Sequence, residues 1–258
     1  MGSGLFDLTG RVALVTGGTK GMGLAMSAAL AQHGATVVVS SRSQEASDEA
    51  AAAVNETAGA DRAIGFACHA GKKEQLQALV DKATSLGGAD IVVGNAGVNP
   101  HYGPMSDISD EQFDKTMATN VKSNHWLANM VSPGMIERGR GGSIMFTSSV
   151  ASFHASPVLG TYAISKIAVL SLMRNLALEY GPHGIRVNAI CPGLIKTDLA
   201  KALWDDPKAT HRAVSQIPLG RLGEAEDLAG TCMYLASDAS KYVTGQALTV
   251  CGGSFMWR

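Results

Sequence analysis

A parallel α/β sheet with helices on both faces is the fold class this sequence predicts, and three observations carry the prediction. Short apolar runs recur along the chain, each followed by a longer stretch of helical periodicity. The first run, RVALVT (11–16), leads straight into GGTKGMG (17–23), and ATVVVS (35–40) follows one helix later. Runs such as VALV and VVV are continuous in apolar residues, as suits strands covered on both faces. Strands alternating with helices predict a doubly wound, Rossmann-type sheet of about seven parallel strands.

The first unit is the most informative. Gly17 suits a tight turn, Gly21 and Gly23 let backbone or phosphate come close, and Gly34 stops the helix near His33. Strand, glycine turn, helix and strand together set a pyrophosphate on a helix N-terminus. A merely flexible turn needs neither flank.

The Ala-rich 44–57 predicts a helix and AIGFAC (63–68) a third strand. A helix over 72–86 leads to ADIVVG (89–94) and the turn Asn95-Ala96-Gly97. The next helix starts near Ser109, carries Asn120 in its middle and ends before Gly139. The fifth strand, Ile144 to Thr147, ends in Ser148 and Ser149, and a helix opens at Thr161. GIRVNAI (184–190) is the sixth strand, broken by Pro192-Gly193. Residues 198–214 read as short mobile helices, 224–236 as a regular one, and QALTV (246–250) as the last strand. No linker or repeat interrupts the series, so 1–258 reads as one domain, with 194–217 expected as a substrate lid.

Composition narrows the function. Of 258 residues, 46% are hydrophobic, enough for one sizeable core. A formal net charge of −1 and no basic run argue against nucleic acid or an anionic membrane as partner. Cys68, Cys191, Cys232 and Cys251 form no C-x-x-C pair, and no signal peptide is apparent, so reduced thiols in the cytoplasm are expected. Gly2 lacks the Ser or Thr that a myristoylation signal wants at position 6, where Phe6 stands. The seven histidines have no ligand spacing, so no metal is expected.

Tyr162 and Lys166 are four apart and share one helix face. A free phenol, with a pKa of about 10, is a poor proton shuttle near neutrality. An ammonium about 5 Å away at an effective dielectric of ~20 favours the phenolate by roughly 3 kcal/mol, or about two pKa units. Ser149, at the end of its strand, would polarise a carbonyl or hold an alkoxide. Alone, Tyr-x-x-x-Lys more often marks a solvated helix face. Its weight comes from what surrounds it.

Thr16-Gly17-x-x-x-Gly21-x-Gly23, Asn95-Ala96-Gly97, Asn120, Ser149, Tyr162-x-x-x-Lys166 and Pro192-Gly193-x-x-x-Thr197 occur in one order across nearly the whole chain. In this the sequence resembles the short-chain dehydrogenase/reductase family, in its compact single-domain branch. VVVSSR and CHAGKKE make it similar to NADP-dependent carbonyl/retinal reductases, without the peroxisomal tripeptide some of them carry, since this chain ends Met256-Trp257-Arg258. The resemblance implies Tyr162 as acid/base, Lys166 as its tuner and a ribose ligand, Ser149 as carbonyl polariser and Asn120 as anchor of a water-linked proton path. It implies cofactor contacts from Gly17, Thr19, Lys20, Gly21, Met22 and Gly23, from Ser41, Arg42, His69 and Ala70, and from Asn95, Ala96 and Gly97. Pro192, Gly193, Ile195 and Thr197 would hold the nicotinamide carboxamide, and hydride would leave from the pro-S face. Two positions depart from the family pattern. Gly94 replaces the usual first Asn of Asn-Asn-Ala-Gly, which is expected to loosen the turn. His69 replaces the acid that contacts adenine, and reads equally as an adenine contact or a surface residue.

NADP(H) is the expected cofactor. NAD-binding relatives place an acid at the end of the second strand for the ribose 2′-hydroxyl. Ser41 stands there, no acid occurs between Gly23 and Glu45, and Lys20 and Arg42 flank the site as cations for a 2′-phosphate. The expected reaction interconverts a secondary alcohol and a ketone or aldehyde. A 3-oxoacyl-carrier-protein reductase is the alternative, with Lys196, Lys201 and Arg221 as basic residues for an acidic carrier; a non-catalytic NADP-binding protein is a remoter one. The pocket would draw on His101, Tyr102, Phe153, His154, Leu159, Leu199, Leu203 and Trp204, a neutral and moderately apolar set. Phe153 and Trp204 read equally as core or interface residues. The helix 161–180 is apolar nearly all round, which predicts a homo-oligomer, a tetramer by family resemblance. The tail Phe255-Met256-Trp257 is expected to tuck in, with a reach into a neighbouring subunit as the alternative.

Overall fold

Residues 4–256 are described in the computed structural model; Gly2, Trp257 and Arg258 lie outside them. Seven strands form one sheet: β1 (Val12–Thr16), β2 (Thr36–Ser41), β3 (Ala63–Ala67), β4 (Ile91–Gly94), β5 (Gly142–Thr147), β6 (Ile185–Pro192) and β7 (Ala247–Val250). All neighbours are parallel, in the order β3-β2-β1-β4-β5-β6-β7. The chain leaves β1 in one direction and returns to its other side at β4. Thr16 pairs with Gly94, so the loops after these two strands emerge side by side at the crevice where such sheets bind ligands.

Helices cover both faces. On one lie α1 (Gly21–Gln32), α2 (Gln44–Ala58) and α9 (Ala229–Ala236), whose Met26, Leu30, Val54, Cys232 and Leu235 meet Val15, Val37 and Val39 of the strands. On the other, α3 (Lys73–Ser85), α5 (Ser123–Arg138) and α6 (Gly160–Tyr180) bring Leu76, Leu79, Leu127, Val131, Val169 and Met173 onto Val92, Ile144 and Val187. Burial on both faces is what the unbroken apolar runs required. No helix among the described residues is long and apolar enough to cross a membrane.

Four elements differ from the sequence reading. The expected helix over 109–139 is divided: α4 (Asp110–Met117) passes through a π turn, Ala118–Lys122, before α5. Asn120 lies in that turn, fully buried. The helix expected at 224 begins as a 3₁₀ turn, Ala225–Leu228. β6 runs on through Pro192, which pairs with Val250; the ring costs no ladder bond because Gly193 N–H donates to Val250 O at 2.9 Å. Gly94 is no loosened turn but the last residue of β4, closely packed. Phe255 stacks on Phe153 of its own chain at 4.7 Å between ring centroids, and the end of the expected tail, Trp257, lies outside the described residues.

Candidate active site

The turn after β1 lacks side chains at Gly17, Gly21 and Gly23, where the backbone packs closest. Gly17 has φ +62°, and a Cβ there would stand 3.0 Å from the Ala96 backbone. One on Gly21 (φ +48°) would stand 3.0 Å from Thr197 Cγ2, and one on Gly23 would run into Gly17 O. Lys20 precedes α1 without a side-chain cap, and the first turn carries no acid, so the helix offers its first N–H groups and positive end to an anion. Met22 and Thr19 are half-buried beside them.

Asn95 binds this turn to the sheet. Its Nδ2 donates to Gly17 O at 2.9 Å, and its Oδ1 accepts from Thr147 Oγ1 at 3.0 Å. Thr16 Oγ1 accepts from the N–H groups of Asn95 and Ala96 at 3.1 and 3.2 Å. Asn120 then holds the loop beyond Gly97: Oδ1 accepts from Val98 N at 2.8 Å, while Nδ2 donates to Val98 O at 3.0 Å and Ser165 Oγ at 2.9 Å. The point where a Cβ of residue 97 would stand is 3.4 Å from both Asn120 Oδ1 and Lys166 Nζ. Glycine keeps that gap open.

Ser149, Tyr162 and Lys166 meet at the carboxyl end of β5. The Ser149 hydroxyl lies near the Tyr162 phenol and accepts from Ala151 N at 3.1 Å. Lys166, 3% exposed, donates to Thr147 O at 2.8 Å, and its Nζ lies 5.4 Å from the Tyr162 ring centroid. Burial pushes the Tyr162 phenol well above its ordinary value; the neighbouring Tyr102 adds to this, and the nearby Ser149 hydroxyl opposes it. Burial likewise lowers the Lys166 ammonium to about 8, with Cys191 opposing. The downward tuning of Tyr162 by Lys166 expected from their spacing is therefore not what the protein alone provides. Both groups lose hydration, and each favours its neutral form. The set can still hold a carbonyl oxygen between a serine hydroxyl and a phenol that carries its proton.

Over residues 17–254 the chain matches the family model described as enoyl-(acyl carrier protein) reductase. It is 43% identical, over 96% of its length and 94% of the relative's, to dehydrogenase/reductase SDR family member 4 of Oryctolagus cuniculus. Its fold superposes with a TM-score of 0.92 on a gluconate 5-dehydrogenase from Burkholderia cenocepacia in complex with NADP and tartrate, 32% identical, covering 98% of both chains. It superposes with 0.91 on a 7α-hydroxysteroid dehydrogenase complexed with NADH and 7-oxo glycochenodeoxycholic acid, 34% identical, covering 98% of this chain and 97% of that one. The chain belongs to the short-chain dehydrogenase/reductase family. It is an oxidoreductase of CH–OH or carbonyl groups, in a family that uses nicotinamide cofactors. The side-chain-free cradle at positions 17, 21, 23 and 97 and the uncapped end of α1 fit a dinucleotide.

The remaining short-chain dehydrogenase/reductase positions fall around that cradle unevenly. Ser41 ends β2, but its Oγ bonds Ser47 Oγ at 3.1 Å and Ser43 O at 3.2 Å, and Arg42 is exposed. Lys20 does not stand free for a phosphate: Nζ lies 3.7 Å from Asp198 Oδ2. His69 Nδ1 accepts from Gly71 N at 3.1 Å, so its ring is fixed by its own turn, beside the buried Ala70. Pro192 ends β6 with Gly193 next in the chain, and Thr197 stands against Gly21 of the glycine turn. Ile195 instead sends its side chain into the core, 4% exposed, next to Gly223.

Of the pocket candidates, His101 Nε2 contacts Pro104 O at 3.0 Å, Leu159 sits just before α6, and His154 is exposed. Phe153 packs on Phe255 and the core. Trp204, in α7 (Lys201–Trp204), donates Nε1–H to Thr197 O at 3.2 Å. With α8 (Pro207–Val214) it belongs to a stretch, 196–216, that buries no side chain. Two contributors escaped the sequence reading, and a third was given a different role. Tyr102 was read only as a lining residue, yet its OH donates to Leu199 O at 2.6 Å and ties the loop after β4 to this stretch. Ser165 Oγ links Asn120 to Tyr162 O, to which it donates at 2.7 Å. Asn124 is the other that escaped. Only Ser165 left a signal, three residues from Tyr162 on the same helix.

Proposed function

We propose that this protein is an NADP(H)-dependent oxidoreductase interconverting a secondary alcohol and a ketone or aldehyde. The observation that carries the reading is the gathering of Ser149, Tyr162 and Lys166 at the carboxyl end of β5, with Lys166 Nζ over the Tyr162 ring and anchored to Thr147 O. Bound nicotinamide supplies or accepts the hydride. In reduction, Ser149 donates to the carbonyl oxygen and Tyr162 hands that oxygen its proton. Lys166 stabilises the phenolate left behind, and Asn120 holds the gap beside Lys166 through which the proton is replaced.

The choice of NADP over NAD is supported by Ser41 in place of an acid, the acid-free stretch behind it, and the cations Lys20 and Arg42. The structural neighbours include one with NADP and one with NADH, so the choice rests on these residues. Against a carrier-protein substrate, two of the three basic candidates are already engaged. Lys196 pairs with Glu224 at 2.6 Å, and Arg221 with Asp227 at 2.6 Å. A non-catalytic binder would have no use for the Ser149–Tyr162 contact. We take 1–258 as one domain, acting in the cytoplasm, with 194–217 as a lid over a neutral, apolar substrate. The exposed Ile164, Ile167 and Leu178 of α6, and a groove lined by Asp114, Met117, Val121, Lys122, His125 and Leu172, support a homotetramer joined through α5 and α6. The test follows nicotinamide absorbance while purified enzyme meets aryl ketones, short keto acids and an acyl-carrier-protein thioester. Fastest turnover of aryl ketones with NADPH is expected; thioester turnover without ketone turnover would overturn the reading.

A further inference from the structure

Asn124 sits in the first turn of α5 and is 2% exposed. Its Nδ2 donates to the carbonyl of Asn120 at 2.8 Å. Opposite stands Gly94. A Cβ on residue 94 would enter the van der Waals radius of Asn124 Oδ1 and lie 2.7 Å from Phe146 Cδ1. Phe146 is fully buried and has nowhere to move. The missing side chain at 94 and the amide at 124 therefore fit as a pair.

The amide grips a telling place. Single π turns inside α-helices are rare and hold only where their surroundings fix them. Here both Asn120 amide hydrogens and an Oδ1 lone pair are engaged, by Val98 and Ser165. Asn124 takes hold of the other end of the same residue, its carbonyl. From Asn120 the hydrogen bonds run through Ser165 Oγ to Tyr162 O, while Asn120 Oδ1 and Lys166 Nζ both border the open space at Gly97.

We infer that Asn124, seated in the space left by Gly94, is a positioning residue that fixes the π turn and, through Asn120, the placement of Tyr162 and Lys166. The inference rests on the catalytic roles proposed above for those two residues.

The test compares Asn124→Leu, which keeps the shape but not the donor, with Asn124→Ala, Gly94→Ala and the Gly94→Ala/Asn124→Ala double variant. Acetophenone reduction with NADPH is followed from about pH 6 to 10. The NMR titration of Lys166, assigned with Lys166→Met, needs no turnover. Asn124→Leu is expected to lower kcat about tenfold with KM within about twofold, and to move both the kcat pH profile and the Lys166 titration. Gly94→Ala should reproduce this, and the double variant should be no worse than Asn124→Ala. Wild-type kcat and titration in Asn124→Leu would overturn the inference. So would a loss with both pH curves unmoved, or additive losses in the double variant. If the wild type leaves acetophenone unreduced, the substrate reading fails, while the Lys166 titration still decides this one.

Discussion

Lys20 Nζ and Asp198 Oδ2 lie 3.7 Å apart, joining the glycine turn after β1 to the start of the 198–214 segment. Both side chains are largely exposed, so the pair itself is weak. Its consequence is competition: a 2′-phosphate that engages Lys20 must draw it from Asp198. Asp198→Asn should tighten NADPH about two- to threefold and leave NADH unchanged, by fluorescence titration. Lys20→Ala with Arg42→Ala should cut kcat/KM for NADPH at least tenfold more than for NADH. Equal losses would refute the assignment of these two cations.

The lowered Lys166 ammonium has a consequence for pH. Its folded value, about 8, lies below the ordinary 10.5, so between these the unfolded chain binds more protons. Burying the charge costs stability in full below about pH 8, and the cost fades as pH rises towards 10.5. Relative to Lys166→Met, the wild type should gain melting temperature from pH 7 to pH 10. A constant difference would mean that Lys166 keeps its proton throughout. In the free enzyme, kcat/KM for ketone reduction should fall above about pH 8 as the cation is lost.

Tyr162→Phe should remove more than nine-tenths of turnover while NADPH binding stays within about twofold, because the ring still packs and only the proton is gone. Ser149→Ala should lower kcat by roughly 10²–10³. A Phe variant that turns over freely would move the acid/base role elsewhere.

The Tyr102 hydroxyl, donating to Leu199 O at 2.6 Å, ties the loop after β4 to the unburied stretch 196–216. Tyr102→Phe should speed hydrogen exchange at 198–204 and raise KM for bulky ketones more than for small ones. Trp204→Ala, losing its bond to Thr197 O, should act in the same direction. Unchanged exchange would show that closure does not depend on this latch.

Ile167→Asp places a charge in the exposed apolar row of α6, where Ile164 and Leu178 also stand. Light scattering at micromolar concentration should report a tetramer for the wild type and a smaller species for the variant. A wild-type monomer would leave that row without its expected partner.

Much of this architecture was legible before any coordinates. Seven largely apolar runs became seven strands, because parallel strands covered on both faces are mostly apolar. A spacing of four put Tyr162 and Lys166 on one helix face, and the missing acid after β2 pointed to the cofactor. These signals are local: each is written in a few consecutive residues. Packing decided the rest. The π turn at Asn120 arises from contacts to Val98 and Ser165, residues 22 and 45 positions away. Gly94 looked like a lost asparagine until Asn124 was found in its space. Lys166 looked like a fixed cation until its burial, which no spacing reveals, moved it to about 8. Local pattern sets which elements form, since it acts through backbone geometry and burial periodicity. Distances between remote side chains and the water left around them are set only when those elements close on one another, and on these the chemistry depends.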